Sequence, residues 1–214
     1  MGVRPQVFTN GLIMANLITA STYKDVMGIT TSNADFQIGY YVDSVSQLVK
    51  TYCNNTFVDY VTTNKTEFFN INWSQTFVQL SESPVISIVS VKERDGITEV
   101  YKTLTLGTDF YLDNTTDTIF RSNGGIGYKN FPLGPGAVEV TYKAGYTDSG
   151  GNAEVPEDLR LAVIDLITYY YKDQSKARQT IAGASVQNTV TSSQRNNVAF
   201  PDHIKRVLDL YKNY

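Results

Sequence analysis

The chain has 214 residues, 42% of them hydrophobic and 18% charged, with a formal net charge of −3. That length suits one embellished domain or two small ones with a real core, and the negative balance argues against a protein held to nucleic acid by phosphate neutralisation. One Cys and one His leave little material for a disulfide, a cysteine metal site or a Ser/His/Asp triad, so no cofactor or metal site is read.

Residues 1–20 are weakly patterned and read as an N-terminal extension. The apolar stretch 7–18 is broken by Thr9, Asn10, Gly11 and Asn16, which does not read as a signal peptide, and no apolar run reaches membrane-spanning length. Next comes a short helix capped by Ser21 or Thr22 and stopped by Gly28. A longer helix starts near Asp35. Ile38, Tyr41, Val42, Val45, Leu48, Val49, Tyr52 and Cys53 repeat on one face of it, with Asp43, Ser46, Gln47 and Lys50 on the other. Cys53 lies on the apolar stripe and reads as a buried structural thiol.

Between 62 and 147 the pattern changes to strands. Segments 67–71, 77–80, 85–91, 100–104, 110–112, 118–121 and 137–142 are short and rich in β-branched or aromatic residues. Asp95-Gly96 signals a hairpin turn, and the glycine-rich stretches 123–127 and 133–136 read as strand connections. This is an antiparallel β unit inserted between helices.

Residues 155–176 read as a central helix. Pro156 suits a first turn, Glu157 and Asp158 complement the positive end of the helix dipole, and Lys172 and Lys176 the negative end. Its apolar residues cover an arc of roughly 220° at 100° per residue, more than one core needs. Either the chain's own domain buries this helix on most sides, or the helix serves its own core and a neighbouring subunit as well; the second reading gives Ile164 and Tyr171 to that subunit. Residues 177–199 carry two charges and no period, and read as a flexible polar loop. A short helix over 200–214 then presents Phe200, Ile204, Val207, Leu208 and Tyr211 on one face, with Lys205, Arg206 and Lys212 elsewhere. The length of the polar tether favours docking on another molecule over capping its own core.

The order helix, inserted β unit, helix, polar loop, short terminal helix resembles the head–tail connector family of tailed bacteriophages, whose members are head-completion or adaptor proteins. The resemblance runs from about Leu17 to Tyr214. It rests on YKDVMGI (23–29), YCNNTF (52–57), PVISIVSVKERDG (84–96), and VEVTYKAGY (138–146) leading into VPEDLRLAVIDLITYYY. The chain departs from the family pattern at Asn55, where members often carry a basic residue, and in its long N-terminal extension and long 177–199 loop. The resemblance implies an α+β fold with a helical core (residues 21–57 and 155–176) interrupted by the β insertion. It also implies a non-enzymatic component of the virion neck. Twelve copies would form a ring beneath the portal protein, joining it to a tail-side neck or stopper protein. DNA would pass through without sequence-specific binding, and no membrane would be involved. In that setting Ile164 and Tyr171 fall at the subunit interface. Phe200, Ile204, Lys205, Arg206, Leu208 and Tyr211 become the portal-docking residues.

Two other readings are open on the residues alone. The Tyr and Asn content of the β region, with Trp73 available to stack on a sugar, allows a carbohydrate- or receptor-binding module of a virion. Paired carboxylates at Asp109 and Asp113, or Glu157 and Asp158, allow a hydrolase, although cap and turn duties account for both pairs.

Overall fold

The computed structural model describes residues 14–172, 180–181, 184–185 and 200–213. Four helices and two larger antiparallel sheets make an α+β fold.

Helix α1 (Ala20–Met27) is capped two or three residues earlier than the sequence suggests. The Thr19 hydroxyl, rather than Ser21 or Thr22, accepts the Thr22 N–H at 3.0 Å. Gly28 ends the helix at φ 66°, and Ile29 N–H reaches back to Lys24 O at 2.9 Å, a closure only a left-handed residue allows. Helix α2 (Asp35–Cys53) buries Ile38, Val42, Val45, Val49 and Cys53 and stops at Asn54, which takes φ 51°.

The β unit then runs through seven strands: β1 (Lys65–Ile71), β2 (Phe77–Gln79), β3 (Val85–Glu93), β4 (Lys102–Thr103), β5 (Phe110–Asp113), β6 (Thr118–Arg121) and β7 (Gly134–Ala144). They form two sheets, ordered β1-β7-β3-β4 and β2-β6-β5. The 11-residue β7 is the spine of the first, and its Val138, Val140, Tyr142 and Ala144 all point inward, the period-2 signature of a half-buried strand. Asp95-Gly96 lies within a longer connection than a tight turn, because the β3–β4 pairing closes at Glu93↔Lys102. The two sheets are tied by one buried cation. Arg121 on β6 is 2% exposed and meets both oxygens of Glu93 on β3 at 2.8 Å, a fork geometry suited to carboxylates.

Helix α3 (Glu157–Tyr171) follows, capped by Pro156. Residues Thr180–Ile181 (β8) and Ala184–Ser185 (β9) pair antiparallel, and the rest of the 177–199 loop lies outside the described residues. Helix α4 (Asp202–Leu210) closes the chain. Among the described residues no helix is long and apolar enough to cross a membrane.

The molecule has two cores. In the first, α1, α2, α3 and α4 share Tyr23, Val42, Val49, Leu159, Val163, Leu166, Ile167, Ile204 and Leu208. In the second, Ile71, Val78, Val91, Phe110, Ile119, Val138 and Val140 fill the β unit. The first core explains the wide apolar arc of α3, which packs on α2 along one side and on α4 along another. The arc therefore serves elements of its own chain.

The N-terminal expectation needs a second correction. Leu17 and Ile18 are 5% exposed and pack into the helical core, while Met14, Ala15, Asn16 and Thr19 around them stay exposed. The segment is held by the buried pair Lys50–Asp59. The Lys50 ammonium donates to Ala15 O and to Asp59 Oδ1, both at 2.6 Å, and Ala15 N–H donates to the same carboxylate at 2.9 Å.

Candidate assembly surfaces

The residues expected to meet other molecules fall into three groups once placed on the fold. Ile164 is 6% exposed and belongs to the helical core, so its assignment to a neighbouring subunit is corrected. Tyr171, the last residue of α3, is half-buried, its ring edge-on to Tyr23 at 6.4 Å and to Tyr41 at 6.1 Å.

The α4 face is corrected as well. Phe200, Ile204 and Leu208 are 4%, 2% and 0% exposed. They pack on the chain's own helical core, where Phe200 meets Tyr52 edge-on at 4.9 Å. Tyr211 is half-buried between Phe57 and Tyr146, and its hydroxyl donates to Asp158 Oδ1 at 2.6 Å. Burial and the carboxylate together raise its pKa above the ordinary tyrosine range. The end of the chain then crosses to the β unit. Asn213 N–H donates to Cys53 O and its side-chain amide to Ser81 O, each at 2.8 Å. The apolar face expected to stay open for a partner is thus covered in the subunit itself. Lys205 remains half-exposed, and Arg206 and Leu210 are exposed on the outer side.

The paired carboxylates do structural work. Asp113 accepts from Thr115 N–H and the Thr116 hydroxyl, both at 2.9 Å, and those bonds hold it below the ordinary aspartate range. Asp109 accepts from Thr105 N–H at 2.9 Å, Asp158 from Leu159 N–H at 2.9 Å, and Glu157 pairs with Arg160. Among the described residues no group of three or more His, Cys, Asp or Glu side chains could hold a metal ion. Cys53 is fully buried. Burial first, then the Asp209 charge, push its thiol up to about 12, the opposite of an activated nucleophile.

The sequence reading missed the outer face of the β2-β6-β5 sheet. Phe77, Phe120 and Tyr111 lie directly across from one another on the three strands. Tyr111 stacks on Phe120 at 5.0 Å and 9°, while Phe77 and Tyr128 each approach Phe120 at 5.8 Å. Three of these rings are substantially exposed: Phe77 49%, Tyr111 41% and Tyr128 65%. A second exposed pair lies on α2, where Phe36 is 91% and Tyr40 64% exposed one turn apart. Trp73, on the β1–β2 connection, is 67% exposed. The outer face of the other sheet is mixed, with Thr66 and Thr141 in hydroxyl contact at 3.0 Å and Lys92 bonded to Glu139 at 2.5 Å.

Known proteins share this arrangement. The curated head completion protein of Escherichia phage T5 is 29% identical over 89 residues, 40% of this chain and 49% of that protein. The match therefore spans about half the length of that relative. The fold is similar to a chain in the neck of the empty gene transfer agent (GTA) particle computed with C6 symmetry. There the TM-score is 0.57 at 16% identity, covering 92% of this chain and 90% of that one. A chain in the neck of the native GTA particle computed with C12 symmetry gives a TM-score of 0.54 at 14% identity, covering 94% of each. At these identities the likeness is one of fold. A family model described as head completion protein matches residues 16–214, and the chain belongs to that family.

Proposed function

We propose that this chain is a structural head–tail adaptor of a tailed bacteriophage, built into the neck of the virion. It forms a ring beneath the portal protein, contacts a tail-side neck or stopper protein, and forms part of the channel through which DNA passes. The observation that carries this reading is the family match over residues 16–214, which takes in both cores and α4. A dodecamer is the copy number proposed, and the role is non-enzymatic. The charge of −3 supports a conduit along which DNA slides without sticking. For portal contact the proposal uses the outward side of α4, with Lys205 and Arg206 available to an acidic partner. Tyr171 keeps a part in the subunit contact through its accessible edge.

Negative-stain electron microscopy of the purified chain, alone and mixed with its portal protein, tests the proposal. Rings capping the portal, twelve-fold in projection, are expected. A protein that stays monomeric and unbound at micromolar portal concentration would overturn it.

A further inference from the structure

We infer that the aromatic face of the β2-β6-β5 sheet is one half of the subunit contact, and that it docks on the Phe36/Tyr40 ridge of α2 in a second copy of this chain. The inference rests on the ring reading above and names the surfaces that reading leaves open.

Phe77, Tyr111, Phe120 and Tyr128 make one continuous set of rings on the side of the sheet away from Val78, Phe110 and Ile119, which fill the core. An aromatic side chain carries about 150–250 Å², so four of them, about half exposed, present on the order of 400 Å². That is the size at which an apolar patch on a monomer commonly marks an interaction site. It is also only about half of the ~800 Å² that each partner contributes to a standard stable complex. A contact of this size is weak when made once, holding a dimer only at high protein concentration, and it suits repetition around a closed ring, where each subunit is held from two sides.

A ring contact is heterologous: two different patches of the same chain must meet. The α2 ridge supplies the second patch and shares no residue with the first. Phe36 and Tyr40 stand one turn apart on the side of α2 opposite Ile38, Val42, Val45 and Val49, and Tyr40 is braced edge-on by Tyr41 at 5.9 Å.

The polar chemistry of the two patches is complementary. Asp35 and Asp43 flank the ridge and are exposed; Oδ1 of Asp35 takes the Lys24 ammonium and Oδ1 of Asp43 the Asn16 amide, which leaves the second oxygen of each as an acceptor. The sheet face offers one phenol donor in return, because the Tyr111 and Tyr128 hydroxyls are hydrogen-bonded to each other, while its nearest carboxylate, Asp113, spends both oxygens on its own turn. The chain uses the phenol–carboxylate pairing repeatedly inside itself: Tyr52 to Asp209 at 2.5 Å, Tyr211 to Asp158 at 2.6 Å and Tyr142 to Glu67 at 2.8 Å.

Two double variants test the contact, Tyr111→Glu with Tyr128→Glu on the sheet and Phe36→Glu with Tyr40→Glu on the ridge. All four positions are exposed, so circular dichroism and melting temperature should match the parent chain. If the sheet pair perturbs folding, Tyr128→Ser alone replaces it. Mass by light scattering and negative-stain images are recorded for each variant and for their equimolar mixture. Each variant alone should lose rings, with assembly needing at least tenfold more protein. The mixture, taken up to near-millimolar protein because a single contact is weak, should give one-to-one dimers, since one intact face then meets one intact ridge. Variants that form rings as the parent does overturn this inference and leave the ring reading standing. So do variants that lose rings without the mixture forming dimers, or that keep rings and lose only portal, tail-protein or glycan binding. A parent chain that makes no ring with or without portal defeats the ring reading itself.

Discussion

Cys53 shows how much of its environment a single side chain reports. Its place on the α2 stripe marked it as buried, and its Sγ lies 3.5 Å from Leu208 O, under α4. With the thiol pushed up to about 12, the thiolate is scarce at pH 8. Ellman's reagent should therefore label the native chain slowly and the chain in denaturant at once. Equal rates in both would show that α4 does not cover it. A second residue-scale forecast concerns Glu67. Burial works to raise its pKa, but hydrogen bonds from Ser81, Lys65 and Tyr142 outweigh it and hold the carboxyl below the ordinary range. The stability it adds is present above the ordinary glutamate value, about 4.3, and is lost as pH falls through the depressed value. The parent chain should lose melting temperature more steeply than Glu67→Gln between about pH 5 and 3. Parallel acid profiles would sink this account. Nothing in the sequence pairs Glu67 with Tyr142, because their meeting depends on the β1–β7 register.

At the scale of elements, α2 was legible nearly to the residue because one apolar face met one core. Helix α3 was found, but whether its own chain or a neighbour covers Ile164 was not legible: periodicity reports that a face is covered without saying by what. Helix α4 was misjudged for a different reason. A long polar tether looked like a poor route back to the chain's own core, yet closure entropy grows only logarithmically, about 0.6 kcal/mol for each doubling of loop length. Fully burying side chains such as Ile204 and Leu208 gains more than that, about 1.5–3 kcal/mol each. Leu208→Ala should therefore cost about 2–5 kcal/mol, lowering the melting temperature by roughly 2–4 °C per kcal/mol in a chain of this size. Scanning calorimetry would decide it, and an unchanged midpoint would mean that α4 adds nothing to the free subunit. Strands β5 and β6 were found, but their facing was not. Ile119 and Phe120 are neighbours of equal hydrophobicity, so alternation gives no sign of which one turns outward. The aromatic face escaped notice for that reason.

For the whole molecule, the order helix, β insertion, helix was legible because each change of period is local. The division of the strands into two sheets, and the closure of one helical body by segments as distant as Leu17 and Leu208, depend on long-range packing that no window of sequence contains. The motif Tyr142-Lys143-Ala144-Gly145-Tyr146 lies in between, recognisable in sequence but explained only by the fold. Tyr142 bonds Glu67, Ala144 packs inside β7, and Tyr146 packs against Phe57 and Tyr211. Gly145 has the least room of all, at φ 128°, where a Cβ would come within 2.4 Å of Phe57 O and 2.8 Å of Val61 Cγ2. The β unit and the helical body therefore meet there in close contact, the Gly145 backbone against the Phe57 carbonyl and the Val61 side chain, and Asn213 laces the same joint from the other end of the chain. In mechanical terms the joint is a weld rather than a hinge. Load applied to one body is expected to pass to the other with little damping, as the place in the neck proposed above would require.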